Sequence, residues 1–129
     1  MAEAQAQAQT AGTEQAGQDG RLSVVTTTIE GIRVVTLSGE IDYHTGDLLR
    51  QALDVRADAP SRVVADMQQV TFMDSSGINI LITAHSALAG ADGWLRLAAP
   101  HGAVMRTLQI VGVDTVIDCR ENVQHSLGD

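Results

Sequence analysis

The feature that most constrains the fold is the repeated exchange of β-branched runs for stretches whose apolar residues fall at three-four spacing, with short polar turns at each exchange. "LSVVTTTI" and "IRVVTLSG" read as strands separated by Glu30-Gly31, a short hairpin signal, so the first pair is expected to be antiparallel. Residues 46–56 then carry Leu49, Ala52, Leu53 and Arg56 at helical spacing, with Thr45 as N-cap. "SRVVADM" is a third strand. The helix after Ser75-Ser76 presents Ile78, Leu81, Ile82, His85 and Leu88 on one side and ends at Gly90. "GWLRLAA" is a fourth strand, and Val104, Leu108 and Val111 mark the next helix, with Gly112 past its end. "TVIDC" is a short fifth strand before a last turn or helix near residues 121–127. The order β-β-α-β-α-β-α-β-α predicts the α/β class. It implies a mixed, mainly parallel sheet of four to five strands packed with about four helices.

The composition allows one domain. The chain has 129 residues, 44% of them hydrophobic, enough for a single core and too few for two. Residues 1–20, "MAEAQAQAQTAGTEQAGQDG", contain no large apolar residue after Met1, so the reading is a disordered tail followed by a domain over residues 21–129. The formal charge of −8 and the scattering of the 8 basic residues, all arginine, argue against nucleic acid and anionic membrane as partners. The lone Cys119 provides neither a disulfide framework nor a zinc site, and a reducing cytoplasm fits it. No signal-peptide pattern or membrane-length apolar run is present, so a cytoplasmic protein is expected.

The segment "VTFMDSSGINILITA" passes from a β-type stretch to a helix-type stretch through Asp74-Ser75-Ser76-Gly77. Asp and Ser are common helix caps, and a single capping residue would suffice. With two serines, Ser76 can cap the helix while Ser75 projects its hydroxyl at the carboxyl end of the sheet, where open α/β folds place their sites. A hydrolase elbow lacks its first glycine here, since Met73 stands in that place. His44, His85, His101 and His125 read as structural or solvated. A receiver domain or a phosphate-binding P-loop would need a lysine, and the chain has none. No metal site, cofactor or enzymatic activity is expected. A second polar turn, "GEIDYHTGDLL", follows the second strand, and parallel pairing of the second and third strands would bring both turns to the same sheet edge. Glu40, Asp42, Asp74, Ser75 and Ser76 would then share one acidic, hydroxyl-bearing surface.

"GEIDYHTGDLL", "VTFMDSSGINIL" and "VMRTLQIVGV", in this order and at these separations, resemble the STAS-domain anti-sigma factor antagonists of bacteria. The resemblance covers roughly residues 22–127. It implies phosphorylation of Ser75 by an anti-sigma factor that is a serine kinase with a histidine-kinase-like ATPase fold. It also implies a partner surface of Glu40, Asp42, His44, Thr45, Asp74, Ser75, Ser76, Gly77 and Ile78. The unmodified protein would sequester the anti-sigma factor and free sigma, phosphorylation would reverse this, and a metal-dependent serine phosphatase would restore binding. Ile78-Asn79 stands where the family helix often continues Leu-Gly after its glycine, and Thr83 lies near the place of an arginine sometimes found there. The alternative is a STAS module that serves, without phosphorylation, as an accessory or assembly subunit of a signalling scaffold or transporter.

Overall fold

In a computed structural model, residues 13–16 and 21–128 are described. The strands are β1 (Thr13–Ala16), β2 (Leu22–Ile29), β3 (Ile32–Ile41), β4 (Arg62–Met73), β5 (Trp94–Ala98) and β6 (Asp118–Arg120). The helices are α1 (Gly46–Leu53), α2 (Ser75–Gly90), α3 (Gly102–Ile110) and α4 (Val123–Leu127), with a 3-10 turn at Val113–Thr115. The sheet runs β1-β2-β3-β4-β5-β6, antiparallel across its first two pairings and parallel across the other three.

This order dictates the layering. Every parallel crossover steps in the same direction along the sheet, so right-handed connections must place α1, α2 and α3 on one face. The main core lies there: Leu49 and Leu53 of α1, Leu81 and Leu88 of α2, and Val104 and Leu108 of α3 pack on Val35, Leu37, Val63 and Leu97. The opposite face carries a smaller cluster of Ile32, Val34, Val64 and Ala98, against which Val123 and Leu127 of α4 pack. Polar contacts seat α4. Arg96 Nη1 donates to the Ser126 carbonyl at 2.9 Å, Arg120 Nη1 donates to that of His125 at 2.8 Å, and the Arg96 guanidinium stacks 3.8 Å from the Trp94 ring centre.

Arg33 is the unexpected member of the interior. It alternates onto the helix-bearing face of β3 and is only 2% exposed. Its Nη1 donates to the carbonyls of Ala52 at 3.0 Å and Asp54 at 2.9 Å, and Nη2 to that of Pro60 at 2.8 Å. Carbonyls at a helix C-terminus lack intrahelical partners, so this guanidinium closes the end of α1 and fastens the loop leading to β4.

Several boundaries differ from the sequence reading, each for a local reason. The helix expected over residues 46–56 stops at Leu53, where Arg33 takes over its carbonyls. The third strand does not stop at Met67 but continues to Met73. Two register shifts against β3, one passing Gln68 and one passing Thr71, are absorbed without ending the pairing. Val111 and Ile82, expected on core stripes, are exposed, because α3 ends at Ile110 and α2 turns Ala84 rather than Ile82 inward. "TVIDC" splits into the 3-10 turn and a three-residue strand, with Ile117 buried between them. The five expected strands are β2 to β6. β1 is a sixth, within the stretch read as a tail, and pairs with β2 from Thr13↔Thr26 to Ala16↔Ser23. The remainder of residues 1–20 lies outside the described residues.

Candidate functional site

The two polar turns meet at the carboxyl ends of β3 and β4. Ile41 pairs with Met73, and one residue later the Asp74 N–H donates to the Ile41 carbonyl at 3.1 Å. The backbone of the α2 start is therefore tied directly to the turn that begins with Asp42.

Each turn is fixed by its own side chains. In the first, Asp42 Oδ1 accepts from the N–H groups of His44 at 2.8 Å and Thr45 at 3.1 Å. Thr45 is 1% exposed; its Oγ1 accepts from the Asp42 N–H at 2.9 Å and donates to the Glu40 carbonyl at 2.9 Å. Thr45 occupies the N-cap position of α1 as expected, but its hydroxyl closes the turn and makes no cap bond. Arg21 Nη1 lies 2.7 Å from Asp42 Oδ2 and 3.5 Å from Glu40 Oε1. Burial pushes the Asp42 carboxyl up. The Thr45 and His44 N–H groups, the Arg21 guanidinium and the Thr45 hydroxyl outweigh it and hold the group below the usual carboxylate range. Gly39, at φ +115, precedes this turn, and a β-carbon there would sit 1.9 Å from the Arg21 carbonyl oxygen.

In the second turn the cap is Asp74, whose Oδ1 accepts from the Ser76 N–H at 2.9 Å. Ser76 was the expected cap; it occupies the second position of α2 and supplies the donor instead. Ser75 is the first residue of α2 and is exposed, whereas Ser76 is half-buried. Gly77 lets the helix lie close on the strands, since a β-carbon there would fall 2.6 Å from Met73 Cγ and 2.7 Å from Ile41 Cγ2.

The expected surface residues thus divide into two sets. Glu40, Asp42, His44, Asp74, Ser75 and Ser76 retain exposure around the joined turns. Thr45, Gly77 and Ile78 are buried beneath them and act through the backbone they position. The sequence reading missed Tyr43, 81% exposed at the tip of the first turn with its ring edge-to-face on His44 at 5.6 Å. It also missed Phe72, which pairs with Glu40 and is exposed. A signal was available: the chain has one tyrosine, one phenylalanine and one tryptophan, and Tyr43 interrupts a polar turn-forming segment while Phe72 stands two residues before Asp74.

A groove of about 280 Å³ between α1 and α2 has Leu53, Ile80, Ala84 and Ala87 in its lining. Its charged members, Arg50 and Asp54, face each other at 3.9 Å, and Asn79 and Thr83 are its other polar lining residues. Among the described residues, no three His, Cys, Asp or Glu side chains are grouped to hold a metal ion, and no helix is long and apolar enough to cross a membrane.

A model of the STAS domain matches residues 23–126. The chain belongs to the STAS domain family. This STAS domain is 26% identical over 99 residues to an anti-sigma F factor antagonist of Paenibacillus polymyxa, covering 75% of this chain and 85% of the relative. It is 33% identical over 85 residues to the anti-sigma-F factor antagonist RsfB of Mycobacterium tuberculosis, covering 65% of this chain and 69% of that protein. Its fold superposes on the crystal structure of an anti-sigma factor antagonist from Mycobacterium paratuberculosis with a TM-score of 0.75 and 29% identity, over 88% of this chain and 96% of the other. The family model begins at Ser23, so β1 lies outside it.

Proposed function

We propose that this STAS domain is an anti-sigma factor antagonist that works by partner switching, with Ser75 as the switch. Its unphosphorylated form binds an anti-sigma factor that is itself a serine kinase, and binding frees a sigma factor. The kinase transfers the γ-phosphoryl group of ATP to Ser75 Oγ. One oxygen–phosphorus bond forms, the bond to the β-phosphate oxygen breaks, the hydroxyl proton leaves to a kinase base or water, and ADP departs. A metal-dependent serine phosphatase hydrolyses the ester and resets the cycle.

The observation that carries the reading is the exposed Ser75 hydroxyl at the first position of α2, beside a turn made acidic by Asp42 and Glu40. The names of the relatives support the same role. A helix N-terminus tolerates a phosphoryl group, so the modified domain keeps its fold. A partner surface fitted to a neutral hydroxyl does not tolerate it. The modification adds about −1.5 to −2 charge next to existing carboxylates. Desolvating that charge without a counter-ion costs about 3 kcal/mol or more, a loss of affinity of roughly a hundredfold.

The test combines site-mapped phosphopeptides with binding titrations against the serine kinases of the source organism. Wild type should accept phosphate on Ser75 and then lose binding. Ser75→Ala should bind and accept none, and Ser75→Asp or Ser75→Glu should fold but bind weakly. Phosphate on Ser76, or full binding by both acidic variants, overturns the assignment.

A further inference from the structure

The two edges of the sheet are protected in different ways. β6 is three residues long and carries Asp118 and Arg120, paired at 2.7 Å; brevity and charge both discourage a further strand. β2, at the other side, is eight residues long and contains no charge, proline or glycine, and Val24 through Ile29 are all β-branched. That is the composition of a strand that recruits another. Among the described residues its outer edge is covered by β1, a four-residue strand pairing with Ser23 to Thr26. Thr27, Thr28 and Ile29 extend beyond that register. β1 also lies outside the family match, which begins at Ser23.

We propose that the outer edge of β2 is a pairing surface for a second copy of this chain, and that β1 is the strand that occupies it. β1 already pairs antiparallel, so the edge accepts a partner of that direction. Two β2 strands paired antiparallel are related by a two-fold axis, so the contact closes into a dimer and leaves neither β2 edge open. The absence of charge in β2 means that no like charges are brought opposite one another, despite the net −8 of the chain. A β2–β2 ladder can use eight residues where β1 uses four. Tethering compensates β1: its short separation from β2 in sequence makes the pairing intramolecular, at an effective concentration of about the millimolar range, above that of a free second copy. The full chain is then a monomer, and loss of β1 releases the dimer.

Light scattering on three proteins at matched concentration tests this. The full chain should run at its one-chain mass of 13.6 kDa. A chain lacking residues 1–16 should run at twice its own one-chain mass; its folding is expected because the buried core begins at Leu22 and the family match at Ser23. The same shortened chain with Thr26→Lys and Thr28→Lys, charges placed on a half-buried and an exposed position of β2, should return to one-chain mass. If the shortened chain does not fold, the full chain with Glu14→Pro and Gln15→Pro decides, since proline at adjacent positions removes whichever β1 N–H faces β2. One-chain mass without β1 pairing, or a larger mass that the lysines leave unchanged, overturns the proposal.

Discussion

Arg21 and Asp42 approach to 2.7 Å, so the residue that leads into β2 clamps the turn that closes β3. The Arg21 carbonyl adds a second link by accepting the Glu40 N–H at 2.9 Å. The ion pair is partly exposed and contributes little by itself. The backbone donors around Asp42 hold the turn, and its charge matters because those donors need an anion.

This gives a pH dependence of definite sign. The folded-state pKa of Asp42 is depressed. The stabilisation from its carboxylate is therefore complete above the unfolded value, about 3.9, and is lost as pH falls through the lower folded value. Asp42→Asn should be less stable than wild type at neutral pH, and the difference should shrink on acidification. Urea midpoints of both proteins at pH 7 and in acid measure the gap. A gap that does not change with pH would show that Asp42 acts through shape rather than charge.

The caps at the start of α2 can be separated by substitution. Asp74→Ala removes the oxygen that accepts the Ser76 N–H and should cost about 1 kcal/mol. Ser76→Ala keeps that backbone N–H and should change the denaturant midpoint little. The reverse ranking in guanidinium melts would return the cap to Ser76.

Arg33→Ala should be among the most damaging single changes, because it removes the donors of the Ala52, Asp54 and Pro60 carbonyls, the first of them buried. Losing several charge-assisted bonds from a buried site should cost about 3 kcal/mol or more. Arg33→Lys should recover only part of this, since an ammonium cannot span donors set apart in a planar fork. Thermal melts of the two variants compare them, and full rescue by lysine would mean that charge alone is needed.

The order of strands and helices was legible because their apolar periods differ, and Leu81 and Leu88 fall inside as their spacing requires. The meeting of the two turns was also legible, since parallel neighbours must end at one sheet edge. Other features depend on three-dimensional partners. Arg33 reads as a solvated charge until the end of α1 is placed above it. The 12-residue length of β4 is hidden by Gln68 and Gln69, which break the face pattern although the ladder resumes at Gln69. Asp74 and Ser76 are both good caps in sequence, and only the backbone path into α2 selects between them. β1 has no apolar stripe to announce it; its pairing uses backbone groups that any sequence carries.

The placement of the aromatic rings determines what fluorescence can report. Trp94 opens β5 opposite Arg62, the first residue of β4, whereas Ser75 lies just past Asp74, beyond the last. At about 3.3 Å per residue, the 12 residues of β4 put the indole roughly 35 Å from the serine. Tryptophan emission therefore follows the seating of α4 during unfolding and is remote from events at Ser75. Tyr43 stands at the tip of the acidic turn and is the intrinsic chromophore suited to report a molecule arriving there.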